Sequence, residues 1–258
     1  MTITDFAMSW FGLAGKNAIV TGGNTGLGQA FTLALAKGGA NVLVPSLADD
    51  DGSTRALVEA AGSTYQFVTA DLTEPGVPRR VVEACVERLG SIDILINSAG
   101  ICPLAEVTEF DRKPWDATVA VNLTAAFEMS HQATTYMIPQ RSGKIINICS
   151  MFSFLGGRMS PAYAATKHGI AGLTKAYSDE LAMHGIQVNG IAPGYYATAI
   201  TTQTRNNPDS NRHVLEHIPA ARWGEPLDLM GAVVFLASRA SDYVNGHILS
   251  VDGGYLVR

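Results

Sequence analysis

Short apolar runs rich in β-branched residues alternate with longer segments of helical period along most of the chain. The runs that predict strands span residues 17–21, 41–44, 65–69, 92–96, 144–149, 186–191 and 247–251. The segments that predict helices between them span residues 26–37, 54–61, 77–89, 115–137, 163–183 and 227–237. Because near-continuous apolar strands separated by helices form parallel sheets that are covered on both faces, this alternation predicts an α/β fold.

The α/β pattern predicts a single doubly wound Rossmann-type domain over residues 1–258. A chain of this length with 47% hydrophobic residues can bury one substantial core. Right-handed crossovers would place about seven parallel strands in one sheet, with helices on both faces.

The segment 194–224 is the most irregular part of the sequence. It is rich in polar residues and contains Pro208. Because loops on a rigid scaffold often carry binding residues, we expect this segment to form a mobile cover over a substrate site. A plain surface insertion would have the same composition.

The composition excludes several classes of function. The chain has 18 lysines and arginines against 23 acidic residues, a net charge of −5 and no basic run, which argues against nucleic acid or an anionic membrane surface as a partner. No signal peptide and no apolar stretch of bilayer length are evident, so we expect a cytoplasmic protein. The three cysteines are scattered, which predicts a reducing compartment and no metal site.

Five residues typical of ligand sites or turns lie just past predicted strands. These residues are Gly22, Asp71, Asn97, Ser150 and Pro193. In doubly wound sheets, ligands bind outside the carboxyl ends of the strands. The five positions therefore predict one functional edge.

A glycine-rich turn, residues 21–28, joins the first predicted strand to the first predicted helix. Gly22 permits a tight turn, while Gly26 and Gly28 remove side chains where the backbone would approach a pyrophosphate. The positive end of the helix dipole would then face the anion. Simple turn geometry is the alternative explanation.

Tyr163 and Lys167 are four residues apart in a predicted helix, which places both side chains on one face. A tyrosine has an ordinary pKa of about 10, and a neighbouring ammonium lowers it, so Tyr163 is a candidate general acid and base. Ser150 could offer a hydroxyl to the same substrate oxygen. The alternative is a solvated surface pair.

Together with Asn122, Asp71-Leu72, Asn97-Ser-Ala-Gly100 and Pro193-Gly194 with Thr198, these motifs resemble the short-chain dehydrogenase/reductase family over nearly the whole chain. The family's usual Asn-Asn-Ala-Gly appears with Ser98 at its second position. The resemblance implies an NAD(P) site made of Gly22, Asn24, Gly26, Leu27, Gly28, Asp71, Leu72, Asn97, Ala99, Gly100, Tyr163, Lys167, Pro193, Tyr196 and Thr198. It also implies the catalytic residues Asn122, Ser150, Tyr163 and Lys167.

The resemblance assigns a role to several of these residues. Asp71 would lie near the adenine, residues 97–100 would support the cofactor ribose, and Thr198 would lie near the nicotinamide amide. Lys167 would hydrogen-bond the nicotinamide ribose, and Asn122 would hold a water that connects Lys167 to solvent. Asp71 and Asn97 also have structural alternatives, because the first can cap a turn and the second can satisfy strand-end backbone groups.

The sequence favours NAD over NADP. The second predicted strand is followed by Ser46 and Leu47, which offer neither the acidic residue typical of NAD enzymes nor the basic residue typical of NADP enzymes. Asn24 and Thr25 add no positive charge to the glycine turn, so a 2′-phosphate would lack a counter-ion.

Four segments, 150–157, 191–198, 218–224 and 241–246, resemble the family branch of the 2-dehydro-3-deoxy-D-gluconate 5-dehydrogenases and gluconate 5-dehydrogenases. This implies a sugar acid or its keto form as substrate. The predicted substrate contacts are Ser150, Arg158, Tyr163, Tyr195 and Arg205, with Arg158 as the first candidate counter-ion. Arginines such as Arg158 and Arg205 are individually more often solvated surface residues, and Tyr195 could equally be an ordinary packing residue.

Two other functions stay open from the sequence. A 3-oxoacyl thioester reductase would use the same catalytic residues, but it would normally need a basic surface for an acidic carrier protein and would prefer NADPH. A non-catalytic dinucleotide-sensing protein would not require all four catalytic residues. The family resemblance further implies a homotetramer formed through residues 125–137, 163–183 and 251–255.

Overall fold

A computed structural model describes residues 2–257, with the backbone alone at Ile200. The described residues form one parallel sheet in the order β3-β2-β1-β4-β5-β6-β7. Its strands are β1 Asn17–Val20, β2 Asn41–Ser46, β3 Tyr65–Thr69, β4 Ile94–Asn97, β5 Gly143–Ile148, β6 Ile186–Pro193 and β7 Ile248–Val251. The predicted doubly wound domain with seven parallel strands is confirmed.

Helices cover both faces of the sheet. They are α1 Gly26–Lys37, α2 Ser53–Ala60, α3 Val77–Leu89, α4 Arg112–Val119, α5 Ala125–Gln140, α6 Pro161–Leu181, α7 Thr202–Asn206, α8 Pro208–His217 and α9 Met230–Ala237. Ala18 and Val20 of β1 point into a core shared with α1 and α9, whereas Ile19 points into a second core shared with α3 and α5. This alternation along a buried strand follows from the two-residue period of β-structure.

The predicted helix at 115–137 is interrupted by a π-helical turn. Residues Arg112–Val119 and Ala125–Gln140 are α-helical, and Ala120–Thr124 between them form the π turn that carries Asn122. A π turn widens the helix locally, and such turns are frequent at functional sites. Helical periodicity in a sequence does not reveal the one extra residue that the turn accommodates.

The expectation that 194–224 is irregular is wrong, because this segment contains α7 and α8. Pro208 is the first residue of α8, a position whose backbone N–H makes no hydrogen bond within the helix, so proline is tolerated there. The Asn207 side chain accepts a hydrogen bond from the Ser210 amide at 3.0 Å and caps the helix. Val214 and Ile218 are buried, so the segment packs onto the domain. Its role as a substrate cover stays a prediction.

Within residues 2–257, no helix combines the length and the apolarity that crossing a bilayer requires.

Candidate active site

The carboxyl ends of β1 and β4 are held together by one hydroxyl. Thr21 Oγ1 accepts hydrogen bonds from the amides of Ser98 at 2.9 Å and Ala99 at 3.0 Å. A side chain added to Gly22 would contact Ala99, so two predicted cofactor residues are neighbours. The predictions missed Thr21 as a site residue, although a hydroxyl at the end of a buried strand is a readable signal.

The glycine turn has the backbone conformation that its sequence predicts. Gly22 and Gly26 have φ values of 64° and 55°, in the left-handed region that favours glycine. A Cβ at Gly28 would overlap the carbonyl oxygen of Gly22, so α1 packs directly on the turn. Asn24 Nδ2 donates to the carbonyls of Ala48 at 3.2 Å and Asp49 at 3.1 Å, which ties the turn to the loop after β2.

These residues fit a dinucleotide. The first turn of α1, which includes Leu27, has amide groups without partners inside the helix. Because glycines lack side chains, nothing at Gly26 or Gly28 separates these amides from a phosphate. Among the described residues, Asn24 Oδ1 and Asn97 Oδ1 are buried without a hydrogen-bond partner, and both belong to the predicted cofactor site. Unsatisfied buried oxygens of this kind call for a donor that a ligand or water supplies.

Asp71 caps a turn, which was the structural alternative to its role in cofactor binding. Its Oδ1 accepts from the amide of Thr73 at 2.9 Å and from the Thr73 hydroxyl at 2.6 Å, and these bonds lower the pKa of the carboxyl. Leu72 packs against the second core. The predicted position of Asp71 near the adenine stays a prediction.

Asn97 anchors the centre of the sheet. Its Nδ2 donates to Asn147 Oδ1 at 2.8 Å and to Ser130 Oγ at 2.9 Å, and Asn147 Nδ2 donates to Thr174 Oγ1 at 2.9 Å. The chain of bonds joins β4 and β5 to α5 and α6. Because these hydrogen bonds are buried, they fix the relative positions of the four elements.

Tyr163 and Lys167 lie on the same face of α6, as their spacing predicts. Pro161 begins this helix, so Tyr163 falls in its first turn at the carboxyl edge of the sheet. Lys167 Nζ lies 5.4 Å from the centre of the Tyr163 ring and donates to the carbonyl of Ile148, the last residue of β5, at 2.6 Å. The lysine is 6% exposed and therefore held in one place.

The expected lowering of the Tyr163 pKa is wrong for this structure. Burial raises the pKa of Tyr163 to about 12, interaction with Cys102 adds to the rise, and interaction with the Ser150 hydroxyl opposes it. Burial also lowers the pKa of Lys167. Burial is the largest cause of both shifts, because removal from water disfavours the charged form of each group.

The Ser150 hydroxyl is oriented by its own turn. Ser150 precedes the 3₁₀ turn Met151–Ser153, and its Oγ accepts a hydrogen bond from the amide of Phe152 at 3.2 Å. The O–H bond is consequently available to donate. The Phe152 ring meets the Tyr163 ring edge to face at 6.2 Å, so the serine and the tyrosine share one wall of the site.

The Asn122 side chain is occupied by the backbone of Ile101. Its Oδ1 accepts from the Ile101 amide at 2.8 Å, and its Nδ2 donates to the Ile101 carbonyl at 2.9 Å and to Thr166 Oγ1 at 3.3 Å. Asn122 also lies against Gly100. It therefore joins the chain after β4 to α6, and its predicted role of holding a water stays a prediction.

Comparison with known proteins identifies the family. A family described as Enoyl-(Acyl carrier protein) reductase matches residues 22–256. The uncharacterized oxidoreductase YgcW of Escherichia coli strain K12 is 61% identical over 100% of this chain and 98% of its own. The 2-dehydro-3-deoxy-D-gluconate 5-dehydrogenase of Bacillus subtilis strain 168 is 46% identical over 96% of this chain and 97% of its own. This chain belongs to the short-chain dehydrogenase/reductase family.

A solved relative agrees with this identification. The gluconate 5-dehydrogenase of Burkholderia cenocepacia J2315, in complex with NADP and tartrate, has a TM-score of 0.91 and 35% identity, over 98% of this chain and 100% of that chain. This short-chain dehydrogenase/reductase is an NAD(P)-dependent oxidoreductase that interconverts a secondary alcohol and a ketone.

The end of β6 carries three further predicted cofactor residues of this short-chain dehydrogenase/reductase. Pro193 ends the strand. Tyr196 is buried and its hydroxyl donates to the carbonyl of Val251 at 2.9 Å, so its side chain holds β6 to β7. The Thr198 amide donates to Thr201 Oγ1 at 3.1 Å, at the start of the segment that leads into α7.

The predicted substrate residues differ in whether their side chains already have partners within the protein. Arg158 is exposed, and its guanidinium has no ion-pair partner among the described residues. Arg205 instead folds back, and its Nη2 donates to the Thr198 carbonyl at 3.0 Å. Tyr195 packs between Trp223 and Tyr255, and burial raises its pKa to about 12. Arg205 thus has a structural contact and Arg158 has no ion-pair partner, and contact of either arginine with substrate stays a prediction.

Tyr195 also lines a cavity apart from the catalytic candidates. The cavity has a volume of about 270 Å³ and its other walls include Tyr196, Arg222, Asp228 and Asp252. None of Asn122, Ser150, Tyr163 and Lys167 lines it. Tyr195 and Tyr163 therefore do not line this cavity together. Contact of Tyr195 with substrate stays a prediction.

Proposed function

We propose that this enzyme interconverts a sugar acid and its keto form, with Tyr163 as the general acid and base. The observation that supports it most is the arrangement of Ser150, Tyr163 and Lys167 at the carboxyl edge of the sheet that also carries the glycine turn. The names of the relatives support the substrate class, since the Bacillus protein is named for a deoxy sugar acid and the Burkholderia protein for gluconate.

The proposed role of each residue follows from the hydrogen bonds of its side chain. Ser150 donates its O–H to the substrate oxygen, because its own oxygen already accepts from the Phe152 amide. Tyr163 takes the proton of the alcohol during oxidation and returns it during reduction. Lys167, fixed by the Ile148 carbonyl, orients the tyrosine and the cofactor ribose. A bound NAD(P) accepts or supplies the hydride.

Arg158 is the proposed counter-ion of the substrate carboxylate. It follows the Ser150 turn, is exposed, and has no ion-pair partner among the described residues. A guanidinium with free donors suits a carboxylate better than Arg205 does, because Arg205 already donates to Thr198. Binding of tartrate by the Burkholderia relative agrees with a carboxylate-bearing ligand.

NAD is the proposed cofactor, in preference to NADP. Asn24 holds the loop after β2 against the glycine turn, and this loop continues into the three carboxylates Asp49, Asp50 and Asp51. Lys37, at the far end of α1, is the one basic residue in the sequence from 17 to 54. The next basic residue, Arg55, pairs with Glu59 and lies over the Tyr65 ring. A 2′-phosphate would therefore meet negative charge without an uncommitted counter-ion. The NADP in the Burkholderia relative makes this preference a point to test.

The experiment is a turnover panel. Rates are measured for gluconate, 5-keto-D-gluconate, 2-dehydro-3-deoxy-D-gluconate, a neutral polyol and a 3-oxoacyl thioester, each with both cofactors. We expect a sugar acid to have the highest kcat/KM, with NAD(H) better than NADP(H). Faster turnover of the thioester would favour the acyl reductase. Tight NADH binding without turnover of any compound would favour the dinucleotide sensor.

A substitution separates the carboxylate contact from the chemistry. Arg158→Ala should raise KM for the sugar acid roughly ten- to a hundredfold, the range of one charge-assisted hydrogen bond, without changing KM for a neutral polyol. Arg112→Ala is the control, because Arg112 is exposed and pairs with Asp116 on α4. An equal rise of KM for both substrates would remove Arg158 from the proposal.

We also propose a cytoplasmic homotetramer. All three cysteines lie in the described part of the chain and are free thiols, which agrees with a reducing compartment. The groove between α5 and α6 supplies an apolar surface for assembly.

A further inference from the structure

Ser153 connects the turn that begins at Ser150 with the helix that carries Tyr163. Its Oγ donates to the main-chain carbonyl of Lys167 at 2.7 Å and accepts from the amide of Ser150 at 3.2 Å. The residue is 6% exposed, so water competes little for these bonds. One hydroxyl therefore spans the gap between the end of β5 and the body of α6.

The Ser153 hydrogen bonds lie just past the end of β5, where the chain has left the sheet. The amide of Cys149 still donates to Ile191 across the sheet, at 2.7 Å, but Ser150 has left the strand. The turn after Ser150 orients the Ser150 hydroxyl through Phe152, and Ser153 is the last residue of that turn. The position of the turn relative to α6 thus depends on the Ser153 bond to Lys167.

We propose that Ser153 is a positioning residue for the redox reaction, because its hydroxyl sets the separation between Ser150 and Tyr163. Tyr163 lies one helical turn before Lys167, so fixing the Lys167 carbonyl relative to the Ser150 amide also fixes the two side chains that share the substrate oxygen. Ser153 does not touch substrate or cofactor in this role. The inference rests on the proposed function of Ser150 and Tyr163.

The test compares Ser153→Ala with Ser153→Thr in the full chain, using the compound of the turnover panel with the highest kcat/KM. Because small misplacement of reacting groups can cost about a hundredfold in rate, we expect kcat of Ser153→Ala to fall roughly ten- to a hundredfold. KM and NADH affinity, measured by fluorescence, should change by less than about threefold. Ser153→Thr keeps the hydroxyl and should recover most of kcat.

A pH profile separates positioning from general damage. Interaction with Ser150 lowers the pKa of Tyr163, and the other titratable groups that act on this site are Cys102, Cys149 and Lys167. A phenol that loses an interaction favouring its ionised form ionises at higher pH. The rise of the alcohol-oxidation rate with pH should therefore move to higher pH in Ser153→Ala and return in Ser153→Thr.

Ser178→Ala is the matched control. Ser178 is also buried, lies on α6, and donates its hydroxyl to a main-chain carbonyl, that of Lys175, at 2.8 Å. It should keep wild-type kcat and pH profile. Wild-type behaviour of Ser153→Ala, or equal loss in both Ser153 variants, would overturn the inference while leaving the proposed function intact. Full activity of Tyr163→Phe, or no turnover of any panel compound, would instead defeat the proposed function and this inference with it.

Discussion

Burial disfavours the charged forms of both Tyr163 and Lys167. Burial raises the pKa of the phenol to about 12 and lowers the pKa of the ammonium. The Lys167 carbon chain and ammonium are enclosed, with the Ile148 carbonyl as a close acceptor at 2.6 Å. The protein without added cofactor should thus hold Tyr163 as a neutral phenol at neutral pH, ready to donate a proton to a ketone oxygen.

Tyr163 should give no phenolate absorbance below about pH 10 in the protein without added cofactor. A phenol whose pKa is raised stays protonated to higher pH, so the difference between wild type and Tyr163→Phe should be flat between neutral pH and about pH 10. The measurement is ultraviolet difference titration. An additional ionisation in wild type within this range would show that Lys167 outweighs burial.

Tyr163→Phe should also separate binding from chemistry. Removing the hydroxyl removes general acid-base help worth roughly a hundred- to ten-thousandfold in turnover. The glycine turn and the Lys167 contact with Ile148 do not involve that hydroxyl, so NADH affinity should be retained. Steady-state rates and NADH fluorescence measure the two effects. Unchanged turnover would exclude Tyr163 as the acid and base.

The turn between β1 and α1 depends on direct backbone contact. A Cβ at Gly28 would overlap the Gly22 carbonyl oxygen, so the helix would have to move away from the turn. Gly28→Ala should therefore destabilise the fold by about 1–3 kcal/mol, the usual cost of overpacking. NADH affinity should fall as well, because the same movement displaces the amides of the first helical turn.

Gly231→Ala is the control for Gly28→Ala. Gly231 is an exposed glycine inside α9, and a Cβ there would contact nothing within 4 Å. The change should stabilise the fold by about 0.5–1 kcal/mol and leave NADH affinity unchanged. Urea unfolding and NADH fluorescence give both quantities. If Gly28→Ala bound NADH as tightly as wild type, the turn would not form the pyrophosphate site.

The elements differ in how far the sequence predicts them. Buried parallel strands are continuously apolar, and the amphipathic helices between them have a clear period. The seven strands and their alternation with helices along the chain were therefore predictable. The π turn at Asn122 and the helix opened by Pro208 were not, since both depend on local backbone hydrogen bonding.

The candidate site was predictable in its residue types and less so in its electrostatics. The spacing of Tyr163 and Lys167 predicts a shared helix face, which needs only local geometry. The direction of their pKa shifts depends on how completely the surrounding elements exclude water, and that is a property of the packed molecule. The bridging hydroxyls of Thr21 and Ser153 likewise gain their partners only when distant segments meet.

At the scale of the whole molecule, an apolar groove of about 370 Å³ lies between α6 and the start of α5 with the π turn before it. It is lined by Leu123, Phe127, Gly169, Gly172 and Leu173. Phe127 is 41% exposed there. The groove belongs to the two helices that the family resemblance assigns to subunit contact. Covering it with the same groove of a second chain would bury aromatic and aliphatic surface that otherwise faces water.

Gly172→Arg should break the proposed homotetramer without unfolding the chain. Gly172 is exposed and a Cβ there meets nothing within 4 Å, so the chain itself has room for the side chain, and arginine favours a helix over glycine by up to about 1 kcal/mol. A contact between chains would instead have to bury an unpaired guanidinium. Light scattering after size exclusion should give a four-chain mass for wild type and a smaller mass for Gly172→Arg, at an equal or higher unfolding temperature per chain. Gly231→Arg, an equally unobstructed change on α9, should keep the wild-type mass. A wild-type mass for Gly172→Arg would mean that the groove between α5 and α6 does not contact another chain.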